Sequence, residues 1–297
     1  MPENRKAAVL AAFAGDSLAL GAHWIYDADS IKERFGRVDE FMDPPEDSHH
    51  KNRTRGQFTH YGDQMLILLE SCSRMGGFEP ADFSSRWQDL MRDYDGYMDQ
   101  ASRKTMANLG EGAPPYEAGS DSSDLAGAAR MAPLLYFIQD ADSLAAAAKE
   151  QCRLTHNNPR VLAAAQCLAH AVCKTLEGAR PREALIEAAA LKPEGIDLTP
   201  FVNKGLESLE ENTAQAVRRL GSHCHLEGAF PAVVHLAVKY QDRPAEALVQ
   251  SVMAGGDSAA RNAALGLLLG AHHGMGFLPQ SWLDGMEASA RIHRLLG

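Results

Sequence analysis

The sequence predicts an all-α protein, a single compact multi-helix domain spanning residues 1–297. Three observations carry this prediction. Apolar residues recur at helical spacing in almost every segment, alanine and leucine dominate while β-branched residues are sparse, and prolines repeatedly stand where a first helical turn would begin. No segment shows sustained apolar and polar alternation, and neither an internal repeat nor a linker splits the chain.

In chain order, helices are expected over about Lys6 to Ala22, Gln64 to Met75, Pro80 to Tyr94, Asp124 to Ile138, Ser143 to Cys152 and Pro159 to Thr175. They continue over Pro181 to Ala190, Pro200 to Arg219, Pro231 to Tyr240, Pro244 to Met253, Ser258 to His273 and Gln280 to Leu296. Pro80, Pro159, Pro181, Pro200, Pro231 and Pro244 are read as first-turn residues, where a missing N–H costs nothing. The stretch from Pro159 shows the core pattern, with Val161, Ala164, Ala165, Leu168, Ala171 and Val172 on one face.

Two polar stretches interrupt the pattern, and loops carry chemistry on a helical scaffold. The first, MDPPEDSHHKNRTRGQFTHYGD, feeds Asp63 into a helix, and its His49-His50 pair reads as solvated surface or, alternatively, as gating a substrate. The second, GEGAPPYEAGSDSSD, offers Ser120, Asp121, Ser122 and Ser123. That composition suits hydrogen bonding to a sugar or diphosphate, and it is equally that of an ordinary exposed loop.

Composition removes several function classes. A content of 45% hydrophobic and 23% charged residues is that of a soluble globular protein. The formal net charge of −10 excludes nucleic acid and an anionic membrane surface as main partners, because both would be repelled. Five cysteines, an odd number without scaffold spacing, fit a reducing cytoplasm. No charged leader opens the chain, and the longest apolar run, near Ala263 to Ala271, is too short for a bilayer, so a cytoplasmic location is expected. Cys167, His170 and Cys173 recur every three residues, but the outer two diverge by about 120° on a helix, which argues against a shared zinc.

The most informative stretch is Gly255-Gly256-Asp257-Ser258-Ala259-Ala260-Arg261-Asn262, a loop that runs into a smooth, small-residue helix. Its glycines permit positive φ or a close backbone approach, and Asp257 stands at the N-cap position. Such a junction can hold an anion, cap a helix, or present a carboxylate to a cation.

The order of motifs resembles the ADP-ribosylglycohydrolase family. Gly15-Asp16-Ser17-Leu18 with Gly21 is similar to its N-terminal Gly-Asp-Ala-Leu-Gly element, and Tyr61-Gly62-Asp63-Gln64 occupies the place of its Thr-Asp-Asp-Thr metal motif. Residues Ala128 to Leu134 look like its arginine-proline element, and Leu154 to Pro159 resemble its Thr-His turn. Gly255-Gly256-Asp257-Ser258, followed by Gly270-Ala271-His272-His273-Gly274, is similar to its last motif. The resemblance implies an all-helical hydrolase that releases ADP-ribose with two magnesium ions, acting on a small-molecule or protein-linked ADP-ribose-like substrate.

The departures fall on the family's metal ligands. Tyr61, Gly62 and Gln64 replace three residues of the first motif, while Ala259 and Ala260 replace two of the last. Asp63 and Asp257 remain, too little charge for two magnesium ions, so the expectation is no cofactor or a single weakly held Mg on those two carboxylates. Arg261, four residues after Asp257, is expected to pair with it and supply part of the lost positive charge to a diphosphate or oxyanion, or to form a plain surface salt bridge. Asn262 adds an amide to that site.

Gly15 to Tyr26 resembles more closely the J-type crystallins and selenoprotein J, relatives within the same fold. His23 and Trp24 are read as stacking a ring or as packing in the core. Tyr61, Gln64, Ser120, Asp121, Ser122, His156, Arg261 and Asn262 complete the expected substrate-binding set, and Asp63 and Asp257 form the expected catalytic carboxylate pair. The expected function is a hydrolase cleaving a glycosidic bond to an ADP-ribose-like or nucleoside moiety. The alternative is a non-catalytic ADP-ribose-binding or crystallin-like structural protein.

Overall fold

At the centre, the N-terminal helix Pro2–Ala19 lies along the helix Ser258–His273, and both present small residues to the seam. A Cβ added to Gly266 would collide with the carbonyl of Ala11, so the two backbones approach as closely as glycine and alanine allow. Every residue from Ala7 to Ala14 is buried, as is every residue from Ser258 to Ala271. The computed structural model describes residues 2–297, and around this pair it assembles helices only. Among the described residues there is no strand, and the β-type pairings are two isolated bridges, Ser120 with His156 and Asp124 with His225.

The strongly periodic helices form where periodicity puts them, including Pro159–Leu176, Pro181–Ala190 and Pro244–Met253, each with its proline in the first turn. Asn158 caps the first of these by accepting from the Arg160 amide. Other expectations are corrected. The stretch Asp124 to Ile138 breaks into two single turns, Ala126–Ala129 and Leu134–Phe137, on either side of Pro133. Pro200 to Arg219 divides at Asn212, whose side chain accepts from the Ala214 and Gln215 amides and starts a second helix. The final segment divides into Gln280–Gly285 and Ser289–Leu295.

Pro231 stands inside the helix Leu226–Lys239, not at its first turn. That helix starts earlier because the Leu226 amide is captured by the Ser123 carbonyl at 2.7 Å. Helices at Ala28–Phe35 and Gln100–Gly110 lie in polar stretches where the sequence reading places none, and local caps start them. Asp27 accepts from the Ser30 amide and Asp99 from the Ser102 amide. No helix among the described residues is long and apolar enough to cross a membrane.

Candidate functional site

Three backbone segments converge at one end of the central helix pair. The Gly255-Gly256 turn, with both residues at φ +75°, is pinned on two sides. The Trp24 amide donates to the Gly256 carbonyl (3.0 Å), the Gly256 amide to the Ile25 carbonyl (2.8 Å), and the Asp257 amide to the Ser222 carbonyl (2.8 Å). A side chain on Gly256 would collide with the Ser222 carbonyl, which explains the glycine there. The third segment is the bridge between Ser123–Leu125 and Cys224–Leu226, in which the Leu125 amide donates to the Cys224 carbonyl at 3.0 Å. These pairings carry Asp124, Cys224 and Asp257 to one point, where each offers a ligand atom within 4.8 Å of the others.

A cleft of about 340 Å³ opens in front of this point. Trp24, Tyr61 and Tyr97 supply its aromatic wall, Asp99 and Asp124 its carboxyls, and Ser122, His49 and His225 its remaining polar edge. Asp257 stands behind the wall, where its Oδ2 accepts from Trp24 Nε1 at 3.0 Å and from the Tyr61 hydroxyl at 2.9 Å. The same hydroxyl lies 3.2 Å from Asp124 Oδ2. One phenol proton can serve only one of these oxygens; the shorter contact and the second donor from Trp24 assign it to Asp257, so the contact with Asp124 requires a proton on that carboxyl.

The electrostatics agree with that assignment. Burial and the neighbouring Asp257 push the Asp124 carboxyl well above its ordinary range. Asp257 is also raised by burial, but the Trp24 and Tyr61 donors pull it back, so it is the member that keeps the charge. Burial holds the Tyr61 phenol protonated as a donor.

Asp99 goes the other way. Burial would raise it, yet His60, His156 and the Ser102 amide together hold it below the usual carboxylate range. His60 Nε2 stands 3.3 Å from Asp99 Oδ2, not aligned for a hydrogen bond, and His60 Nδ1 is 3.3 Å from His50 Nε2.

The structure distributes the sequence-predicted residues unevenly. Trp24, Tyr61 and Ser122 line the cleft. Asp63 does not join Asp257, because Tyr61 points at Asp257 and two residues along a helix turn the side chain by about 200°. Asp63 is held instead by Arg53 Nη2 (2.9 Å) and the Tyr94 hydroxyl (2.6 Å), so the two carboxylates of the expected Asp63 and Asp257 pair are not brought together.

His23 is buried behind Trp24, its ring stacked at 4.5 Å, and burial keeps it neutral. Gln64 is a core residue whose Oε1 accepts from Trp87 and Arg130, both at 2.8 Å. Ser120 is buried on the Thr155 carbonyl, His156 lies beside Thr155 Oγ1, and exposed Asp121 pairs with Lys104. Arg261 does not pair directly with Asp257. It is fully buried and donates to Ser251 Oγ, the Ser251 carbonyl and the Gly255 carbonyl. Asn262 donates to the Gly15 and Leu248 carbonyls, tying its helix to Pro2–Ala19 and to Pro244–Met253.

A family model described as ADP-ribosylglycohydrolase matches residues 3–297. The chain belongs to the ADP-ribosylglycohydrolase family. It is similar to an uncharacterized protein of Archaeoglobus fulgidus, 25% identical over 97% of this chain and 92% of that one. It is also similar to Crystallin J1A of Tripedalia cystophora, 22% identical over 95% of this chain and 91% of the crystallin, and to Crystallin J1B of the same animal, 21% identical over 99% and 97%. A solved structure described as an ADP-ribosylglycohydrolase-related protein complex shares the fold with a TM-score of 0.78 and 24% identity, covering 99% of this chain and 96% of that one.

The magnesium pair that the ADP-ribosylglycohydrolase resemblance implies does not fit the residues at this point. Magnesium takes near-octahedral oxygen ligands, whereas Asp124, Cys224 and Asp257 offer two oxygens and a thiol that burial and both carboxylates push far above its usual range. Asp257 Oδ2 is moreover already filled by two donors. The residues that sequence reasoning missed are Asp99, Asp124, Cys224, Tyr97 and the buried His50 and His60. Only the polar Ser-Asp-Ser-Ser-Asp run pointed near Asp124, and nothing local joins it to Cys224, 100 residues away in sequence.

Proposed function

We propose that this ADP-ribosylglycohydrolase-family protein hydrolyses a glycosidic bond in a nucleoside-sized ligand, with Asp124 as general acid and Asp99 as general base. The observation that carries this reading is the unlike setting of two carboxyls lining one cleft: Asp124 is buried 3.2 Å from the Tyr61 hydroxyl that also serves Asp257, which raises it, and Asp99 lies beside His60 and accepts from the Ser102 amide, which lower it. Environments that push two carboxyls apart assign the acid and the base.

Asp124 gives its proton to the leaving atom as the glycosidic bond breaks and its electron pair departs with that atom. The oxocarbenium-like sugar carbon then takes a water oxygen, and the water's proton passes to Asp99. One water is added across the bond. Tyr61 holds the acid and Asp257 in register, and Trp24 and Tyr97 offer faces for a flat base. A nucleoside suits the cleft better than a whole ADP-ribose, since among the described residues no lysine or arginine lines it to meet a diphosphate.

The test is turnover of a panel of nucleosides and ADP-ribosylated amino acids by the wild-type protein and by Asp124→Asn and Asp99→Asn. Loss of turnover in both variants with ligand binding retained supports the assignment. Full activity in either removes it. The similarity to two crystallins supports a second reading, a non-catalytic protein that keeps the cleft, and it would follow if the wild type bound a panel member but turned none over.

A further inference from the structure

Two irregular segments form one side of the cleft. Residues 36–59 and 93–99 carry neither helix nor strand, and they bring His49 and Tyr97 to the cleft edge. The two rings lie 5.0 Å apart, and each meets Trp24 edge-on, at 5.4 Å and 4.8 Å between centroids.

The first segment is a strap with two feet. His50 is buried against His60, and the Gly56 carbonyl accepts from the Glu287 amide at 2.9 Å, where a Cβ on Gly56 would collide with the Gly285 carbonyl. Between the feet Lys51, Asn52, Thr54 and Arg55 are exposed, and Arg53 turns inward, its side chain 14% exposed. The Lys51 amide donates to the Ser48 carbonyl (3.3 Å) and the Arg53 amide to the His50 carbonyl (2.8 Å), two successive turns that join His49 to Arg53.

Asp63 holds both segments with one oxygen. Its Oδ2 accepts from Arg53 Nη2 of the strap at 2.9 Å and from the Tyr94 hydroxyl of the second segment at 2.6 Å. Arg53 also reaches across the gap, its Nη1 3.2 Å from Asp95 Oδ1 and its guanidinium over the Tyr94 ring, while Asn52 donates to the Asp95 carbonyl. A Cβ on Gly96 would collide with Arg53 Nη2 and the Tyr94 ring, so the second segment closes directly on the guanidinium. An arginine fork shared in this way fixes direction as well as distance. Farther along, Arg103 lies 5.4 Å from the Tyr97 ring centroid and gives that ring one anchor of its own. Asp63 stands outside the cleft lining, in the first turn of the helix His60–Met75 that also carries Tyr61.

We propose that Asp63 is a positioning residue: through Arg53 and Tyr94 it clasps the His49 strap to the Tyr97 segment, and so sets how wide the cleft mouth opens and what size of ligand it admits. The clasp is largely shielded from solvent, which screens it less than the exposed ion pairs elsewhere on the strap. This deepens the proposed function and rests on it only in that a ligand enters this cleft.

Fluorescence quenching of the full chain tests the clasp without any substrate. Trp87 and Trp282 are buried and Trp24 is partly exposed, so neutral quenchers report on the ring that both segments touch. Asp63→Asn and Tyr94→Phe are each expected to raise the acrylamide quenching constant about twofold or more, as the mouth opens locally while the global fold persists. Succinimide, a bulkier quencher, should act less well than acrylamide on the wild type and gain more than acrylamide in both variants. Arg55→Ala, which breaks the exposed strap pair with Asp43 and leaves the clasp intact, is expected to quench as the wild type does. Wild-type quenching in a folded Asp63→Asn or in Tyr94→Phe, an equal rise in Arg55→Ala, or the same gain for both quenchers would each overturn the proposal. If Asp63→Asn does not fold, Tyr94→Phe, which loses only a hydroxyl, decides alone. A protein that turned over no nucleoside would still show the clasp in this assay, so failure of the hydrolytic reading and failure of the clasp are told apart.

Discussion

The Tyr61 hydroxyl stands 2.9 Å from Asp257 Oδ2 and 3.2 Å from Asp124 Oδ2, so one phenol mediates between two buried carboxyls. Two such groups cannot both stay ionised at short range, and the phenol decides which one holds the proton. Asp257, with a second donor in Trp24, keeps the charge, and Asp124 becomes the acid facing the cleft. A helix start that aligns with a metal motif in the family thus carries a proton-sharing device here.

Removing that hydroxyl should separate its structural and chemical roles. Tyr61→Phe keeps the ring in the wall and deletes both contacts, at a cost of about 1–3 kcal/mol for buried polar groups left without a partner. Denaturant unfolding should show a larger loss at neutral than at mildly acid pH, since acid neutralises both carboxyls. A deficit equal at both values would show that the phenol does not mediate between charges.

The pH profile of turnover follows from the two displacements. Asp124 acts in its protonated form, so kcat should fall on the alkaline side, as pH rises through its raised pKa. Asp99 acts ionised, and its lowered pKa puts the acid limb below the usual carboxylate range. Asp124→Asn should lose about 10²- to 10⁴-fold in kcat and show no alkaline fall in what remains. An alkaline limb that survives the substitution would assign the acid to another group.

The fold was more legible in the sequence than the site, and the reasons are physical. Pro159–Leu176 is specified by apolar periodicity and Ser258–His273 by a continuous run of apolar and small residues, with first-turn signals at Pro159 and Asp257. Gln100–Gly110 depends on the Asp99 cap, whose force is local and easily missed in a polar stretch. The site depends on contacts with no sequence signature. The Leu125 and Leu226 amides bridge segments 100 residues apart, and this brings Asp124 to Asp257. The choice between Tyr61 and Asp63 turned on helix rotation, which depends on where the helix starts. It starts at His60, capped by Thr59, four residues before the Gln64 that periodicity suggested.

Asp16 gives a stability prediction with a definite sign. It is fully buried on the N-terminal helix, its Oδ1 accepting from the Thr59 hydroxyl (2.6 Å) and its Oδ2 from the Thr59 amide (2.8 Å). Burial outweighs these bonds and raises its pKa from 3.8 to about 7. The folded state therefore holds a proton that the unfolded chain releases earlier. Its contribution is fully present below pH 3.8 and is lost as pH rises to about 7. Asp124 and Asp257 act in the same direction. Asp16→Asn should flatten the decline over that window in chemical denaturation, by roughly a few kcal/mol across it. A slope identical to wild type would mean that Asp16 is already ionised in the fold at low pH.

Arg261 separates a structural arginine from a substrate-binding one. Its guanidinium ties the Gly255 carbonyl to Ser251, beneath the turn that presents Asp257, and burial lowers its pKa to about 10. Arg261→Met fits the apolar surroundings but leaves two carbonyls without donors and Asp257 without its nearby positive charge, which should cost about 3–5 kcal/mol. The Asp257 carboxyl should rise further, so the shared proton is held more tightly and kcat falls, while KM for an uncharged nucleoside stays near wild type. An arginine that met substrate directly would give the opposite pattern, a raised KM with little change in unfolding free energy. Unfolding measured beside kcat and KM distinguishes the two, and the buried hydrogen bonds to Ser251 and Gly255 predict the first.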